Sequence, residues 1–321
     1  MVNCRLKVVL VTQGLSPIVE PVCSSNNDIV GIIEAAPRVA KNSDISCGLR
    51  IVKKIYHIFN GRSNSLAGYA DNRKIPYLFM ESSDNDNVIS WLKNKRPDVV
   101  VVFSMSRLLK ECFLAIPRYG VINLHPSLLP AYRGPNPDFW QYYNMEMNPG
   151  VTVHYLDKGE DTGDIIFQAS KQISLGIKSP ARLDMLINEL GIPLVLKALT
   201  AIQAGNAPRI KQPKTSPTSR ARNLLPEEHK TIIDWHNWPI KRIWHILRGT
   251  ERWLKALPQP TGLYIGHLWV IGEYERFAGQ TVTPGLIYKN KGQYCVAVKE
   301  GCIYLSLSFS FKKIILRFLK K

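Results

Sequence analysis

The 321-residue chain is short of several things, and each shortage narrows what it can be. No run of about 18 apolar residues occurs, so no segment reads as a membrane span, and stable membrane insertion is not expected. The opening MVNCRLKVVLVTQGL lacks the length and small-residue cleavage site of a secretory leader and reads instead as a first strand. Cysteines are few and scattered (Cys4, Cys23, Cys47, Cys112, Cys295, Cys302). Without CxxC spacing they argue for reduced thiols in the cytoplasm and against a zinc site or a disulfide frame. GxGxxG, GxxxxGK[ST] and GxSxG are all missing, which removes the motif support for nicotinamide, ATP or Ser127-hydrolase chemistry. No His/Asp set offers a third and fourth metal ligand, so no metal is expected.

Acidic residues are also scarce: 25 Asp and Glu face 42 Lys and Arg, a net charge of +17. The imbalance is uneven. From Asn206 to Lys321, 20 basic residues face 7 acidic ones, against 22 and 18 in the first 205. A basic C-terminal half suits an anionic partner (nucleic acid, a nucleotide diphosphate, a folate tail, an acidic membrane surface) or a solubilising face.

What is present is an alternation of strands and helices. KVVLVT (7–12) and DIVGIIEA (28–35) are β-branched runs, and a short strand is expected at 76–80. DVVVVFS (98–104) reads as a strand buried on both faces, and GVINLH follows as the next. Helical spacing appears between them, after KVVLVT, in 43–61, in SLAGYADN, in NDNVISWLKNK before Pro97, and in SRLLKECFLAI before Pro117. This pattern predicts an α/β fold with a doubly wound, mostly parallel sheet, whose ligands bind at the carboxyl ends of strands. GVTVHYLDKGEDTGDIIFQASKQI (150–173) predicts two antiparallel strands joined by a polar loop, and 179–205 a long amphipathic helix. Residues 206–230, rich in Pro, Ser, Lys and Arg, read as a linker. One helix and then short strands with Gly turns over 261–310 predict a small β domain of barrel type, with a basic amphipathic tail. The expected division is therefore a catalytic domain over 1–205, a linker over 206–230 and a β-rich domain over 231–321.

The chemistry concentrates in VINLHPSLLPAYRGPNPDFW (121–140). Asn123 and His125 flank Leu124, so in a strand both side chains point to one face. A Pro- and Gly-punctuated loop follows. The acidic stretch Asp157–Asp164 lies about 30 residues on, in a hairpin able to fold back over them. A carboxylate beside a His that cycles protons, with an amide N–H to hold an oxyanion, suits acyl transfer to an amine.

NLHPSLLPAYRGPNP followed by GVTVHYLDKGEDTGDII resembles the signature of the folate-dependent formyltransferases, from Leu6 to about Ile173 and more faintly beyond. The resemblance implies a Rossmann-like catalytic domain that uses 10-formyltetrahydrofolate as co-substrate. It implies a catalytic set Asn123, His125 and Asp161. It places the donor site on SMSRLL (Ser104, Met105, Arg107, Leu108, Leu109) and on DKGED (Asp157, Gly159, Glu160). IIDW (232–235) resembles the entry to the small OB-like β-barrel of longer family members, through which a homodimer is common.

For the acceptor, RGPNPDFWQYYN resembles the enzymes that formylate dTDP- or GDP-linked amino-deoxy sugars for O-antigen and other surface polysaccharides. VTQGLSPIVEP and IIEAAPR point the same way. The acceptor-side residues are then Gln13, Ser127, Tyr132, Arg133, Asn136 and Trp140. The alternatives are a methionyl-tRNA formyltransferase acting on initiator tRNA, which would use the basic C-terminal half, and an inactive folate- or nucleotide-binding homologue. The tRNA enzymes resembled here read SLLPxxRGAAP, a block this chain does not carry.

Overall fold

A computed structural model describes residues 5–36, 65–251, 253–260 and 267–308. The chain folds into two compact units. The first comprises Met1–Pro135, Gly150–Lys171 and Asp184–Arg220, and the second Asn136–Pro149, Gln172–Leu183 and Ala221–Lys321. The units thus interleave along the chain, unlike the sequential division at 205 and 231.

The first unit is built on a seven-stranded sheet of order β3-β2-β1-β4-β5-β6-β7. β1 (Lys7–Thr12), β2 (Asp28–Ala35), β3 (Tyr77–Met80), β4 (Val99–Phe103) and β5 (Val121–His125) run parallel. β6 (Gly150–Tyr155) and β7 (Ile165–Ser170) continue the sheet antiparallel. Val8 to Val11 and Val99 to Val101 are fully buried, the expected result for central strands covered on both faces. The order reverses between β1 and β4, so the loops after those strands flank a crevice where α/β sheets bind ligands.

Helices start and stop where local chemistry dictates. Ser65 Oγ accepts from Gly68 N ahead of Leu66–Asn72, and Asn85 caps Asp86–Lys95 in the same manner. Arg96 in the left-handed region and then Pro97 end the latter. The helix expected over 106–116 is only one turn, Glu111–Leu114. Ahead of it, Ser104 has a positive φ, Arg107 donates to the Glu81 carbonyl, and Lys110 N donates to Ser83 Oγ. The Lys110 N–H is thus spent on a side chain outside the segment, and Arg107 ties the segment to the loop after β3. After β1 the helix is likewise brief, Val19–Cys23. The helix expected over 43–61 and the basic tail lie outside the described residues.

The apolar stretch Ser179–Gln203 is long and apolar enough to cross a membrane by length and composition. Its part in the first unit instead buries Leu186, Val195, Ala198 and Leu199 in the core. Pro193 removes a backbone donor, and the preceding turn, Met185–Gly191, widens into a π-helix. Gly191 lets this helix close onto β5: a Cβ there would stand 2.7 Å from Leu124.

The second unit carries the antiparallel sheet β8-β11-β10-β9. Its strands are β8 (Leu268–Arg276), β9 (Ile287–Asn290), β10 (Gln293–Val298) and β11 (Gly301–Ser308). Asn290 pairs with Gln293 across a two-residue turn in which Lys291 and Gly292 both have positive φ, the geometry that matches strand twist. The helix Ile240–Thr250 buries Ile243, Trp244, Ile246 and Leu247 in a core shared with Ile271, Val296, Ile303 and Leu305. Most of the expected linker is docked on one unit or the other. Ile210 bridges Ile165 in the first, and in the second Ala221 is fully buried and Arg222 pairs with Glu228.

Candidate active site

β5 ends by placing two side chains on one face. Asn123 pairs with His154 of β6, and His125 with Thr152. Thr152, itself fully buried, pins the turn that follows: its Oγ1 donates to the Ser127 carbonyl (2.6 Å) and accepts from Leu129 N (3.0 Å). Gln168 Nε2 adds bonds to the Leu129 carbonyl and to Thr152 Oγ1, both 2.8 Å. The loop is therefore held from β6 and β7.

Two histidine side chains and a backbone N–H converge around Asp161. His125 is buried, with its Nδ1 3.6 Å from Asp161 Oδ2. Its Nε2 lies 3.1 Å from the Tyr132 carbonyl, which can only accept, so Nε2 carries the hydrogen. In the neutral ring Nδ1 then keeps its lone pair and faces the carboxylate side. Asp161 Oδ1 lies 3.7 Å from His154 Nε2. Its Oδ2 accepts from Gly134 N at 2.9 Å. Asp161 itself has a positive φ of 54°, an uncommon conformation for a non-glycine residue.

His154 was not foreseen as a site residue. Its Nδ1 donates to the Tyr155 carbonyl (2.9 Å), which leaves Nε2 to accept from Asn123 Nδ2 (3.1 Å). Complete burial depresses its pKa to about 4, against the opposing pull of Asp161, so the ring stays neutral near pH 7 and remains an acceptor. One amide hydrogen of Asn123 is thereby fixed on His154. The alternation of VTVHY does put Thr152 and His154 on one face, but only the β5–β6 register puts His154 opposite Asn123.

The expected donor-site residues fall on two loops. Ser104, Met105, Arg107, Leu108 and Leu109 follow β4. Leu108 is exposed, Leu109 is buried, and Met105 packs on the core around β4. Gln13, after β1, donates to Ser106 Oγ at 2.6 Å and so bridges the two sides of the crevice. Asp157, Gly159 and Glu160 lie between β6 and β7. Asp157 Oδ1 accepts from Gly159 N and Thr162 Oγ1, and a Cβ on Gly159 would collide with Thr162 Oγ1 at 2.0 Å. Glu160 is held by Arg220 (2.5 and 2.7 Å).

Several residues expected on the acceptor side have other work. Ser127 is fully buried and donates to the Ala131 carbonyl, so it cannot meet a ligand. Tyr132 is buried and serves through its backbone, whose carbonyl accepts from His125. Arg133 donates from Nε and both terminal nitrogens to Gln212 Oε1 and to the carbonyls of Pro213 and Lys214. Its guanidinium is spent on the chain, which sequence spacing could not reveal. Asn136, in the left-handed region, precedes the helix Pro137–Tyr143 of the second unit. Trp140 belongs there too, against Phe139 and Tyr143, its Nε1 donating to the Arg222 carbonyl.

The family model described as Formyl transferase matches residues 60–191. Methionyl-tRNA formyltransferase of Thermodesulfovibrio yellowstonii is 32% identical over 234 residues, 73% of this chain and 72% of that one. The enzyme of the same name from Caldanaerobacter subterraneus is 31% identical over 220 residues, 68% and 69% of the two chains. Among solved structures, HypX from Aquifex aeolicus in complex with tetrahydrofolic acid shares the fold at 13% identity and a TM-score of 0.55, over 94% of this chain and 43% of that one. A Mycobacterium tuberculosis protein with a suggested sugar N-formyltransferase activity does so at 17% identity and 0.52, over 83% and 92%. With its Asn, His and Asp gathered at the end of β5 and relatives of this similarity along most of its length, the chain belongs to the formyl transferase family.

Proposed function

We propose that the protein transfers a formyl group from 10-formyltetrahydrofolate to the primary amine of a nucleotide-linked amino-deoxy sugar. The observation that carries the transfer is the cluster at the carboxyl end of β5, in which Asp161 stands beside His125 and is linked through His154 to Asn123. The crevice suits the donor on chemical grounds: exposed Leu108 offers an apolar face, and the Asp157–Thr162 turn is held in shape by bonds to Asp157 Oδ1. The donor supplies an activated formyl carbon next to a nitrogen leaving group. Residues 104–109 and 157–160 hold it.

The chain's residues then divide the work. Asn123 Nδ2 donates its remaining hydrogen to the oxygen that gains charge as the amine attacks. His125 Nδ1 takes the amine proton and returns it to the departing nitrogen. Asp161, within ion-pair distance, stabilises the imidazolium in between. The Nε2 bond to the Tyr132 carbonyl fixes the tautomer that this cycle requires.

The acceptor reading rests on RGPNPDFWQYYN, which resembles the sugar enzymes, and a pyrophosphate gives the basic surplus a role. A second reading, formylation of an aminoacyl-tRNA, is favoured by the names of the relatives and by the same surplus. A cytoplasmic location and a homodimer are part of the proposal under either reading. The test offers 10-formyltetrahydrofolate with dTDP-4-amino-4,6-dideoxyglucose or methionyl-initiator tRNA in parallel and identifies the formylated product by mass. Formylated sugar alone supports the proposal. Formylated tRNA alone replaces it with the second reading.

A further inference from the structure

The segment after the last helix of the first unit crosses both loops that build the site. Gln212 occupies the crossing. Its Nε2 donates to the Asp161 carbonyl (3.0 Å) and to the Gly163 carbonyl (2.7 Å). Its Oε1 accepts from Arg133 Nε (3.1 Å) and from a terminal Arg133 nitrogen (2.7 Å). All four partners are of fixed character, two carbonyls and two guanidinium N–H groups, so the amide can be oriented in one way only.

A closed circuit follows. The Asp161 carboxylate accepts from Gly134 N. Gly134 is joined covalently to Arg133, Arg133 grips Gln212, and Gln212 grips the Asp161 carbonyl. The acid is thus held at its side chain and at its backbone, and Arg133 ties the two anchors together. The left-handed conformation of Asp161 is unfavourable for a non-glycine residue and persists only where the surroundings over-determine it. Gln212 lies outside the matched family region, 60–191.

We propose that Gln212 is a positioning residue: it sets the Asp161 carboxylate against His125 and so makes the segment after the last helix part of the active site. Its influence on catalysis rests on the formyl-transfer reading; its influence on Asp161 does not. Gln212→Leu keeps the bulk and loses every bond. Gln212→Glu keeps the acceptor for Arg133 and places an oxygen against two carbonyls.

The decisive measurement reads the geometry without turnover. Hydrogen exchange at the Gly134 amide, by NMR on the full chain, reports the bond to Asp161 directly. In both variants exchange at Gly134 should rise about tenfold or more, with β1 and β4 amides unchanged. Asp161→Asn is the control for a weakened bond. Gly134 exchange equal to wild type in both variants overturns the proposal, as does a uniform rise across the first unit, which would mark a general loss of stability.

Kinetics complete the test. Formyl transfer in Gln212→Leu should fall about tenfold to a hundredfold in kcat, with the donor KM within about threefold. In an Asp161→Asn background the same substitution should cost less than about twofold, because its route is gone. Full multiplication of the two losses counts against the proposal. If the wild type transfers no formyl group, the functional reading fails while the exchange experiment still decides the role of Gln212.

Discussion

The Asn123 amide nitrogen stands 3.1 Å from His154 Nε2 across the β5–β6 pair. The amide proposed to meet the reacting oxygen is thus aimed by a buried neutral imidazole. His154→Phe keeps an aromatic ring of similar size and removes the acceptor. Losing one such hydrogen bond is worth about 1 to 1.5 kcal/mol, about fivefold to tenfold in rate. The expected result is a kcat about fivefold to tenfold lower with the KM for the amine little changed. An unchanged kcat in a folded variant would remove His154 from the account.

Asn123→Ala removes the oxyanion donor and should lower kcat about a hundredfold to a thousandfold. His125→Ala removes the proton carrier, with a loss of about a hundredfold or more. Steady-state turnover of both purified variants checks the pair, and near wild-type rates in either would contradict the assigned role.

Acid should destabilise the fold earlier than carboxylate titration alone predicts. His154 and His245 are both buried, and burial depresses each to about 4. In the unfolded chain each takes up a proton below about pH 6.5. Unfolding therefore binds protons between those values, and stability falls as the pH drops from about 6.5 toward 4. Above that interval the two residues add no slope. His245 Nδ1 accepts from Gly176 N, a bond Gln can mimic. Urea midpoints at pH 7 and pH 5 should differ more in wild type than in His245→Gln. Equal differences would exclude this source.

Gly163 is a close fit with no room for a side chain. A Cβ there would lie 1.9 Å from the Tyr155 carbonyl oxygen, which belongs to β6 and cannot retreat. Gly163→Ala should push out the loop that carries Asp161, with at least a tenfold loss of turnover and a lowered melting temperature, read by activity and calorimetry together.

In the second unit, Arg182 and Asp138 form a buried ion pair, with Gln141 Oε1 accepting a second Arg182 bond at 2.9 Å. Burial pushes the Asp138 carboxyl up, against the pull of Arg182. Arg182→Met strands the carboxylate and should cost about 3–5 kcal/mol. Adding Asp138→Leu should recover part of that loss. Denaturant unfolding of the single and double variants decides it.

Much of this was legible in the residues. β-branched runs bounded by Gly and Pro located β1, β2, β4 and β5, because central strands tolerate little else. The N-L-H spacing put Asn123 and His125 on one face of a strand end. What stayed hidden depends on pairing between distant segments. His154 needs the β5–β6 register. Gln212 lies in a stretch whose composition spells only linker, yet its amide completes the anchoring of Asp161. Arg133 and Ser127 look available in sequence and are consumed by backbone carbonyls and by Gln212 in the fold. SRLLKECFLAI has helical spacing over a stretch that forms one turn, because side-chain bonds to its backbone and from Arg107 hold the rest open.

In the proposed reaction Asn123, His125 and Asp161 move a formyl group from a folate to an amine. Single-turnover release of tetrahydrofolate, with the amine acceptor present, tests it in wild type and Asp161→Asn. Release matched one-for-one by formylated amine is expected in wild type, and release at least about a hundredfold slower in the variant. Equal rates in the two proteins would contradict it.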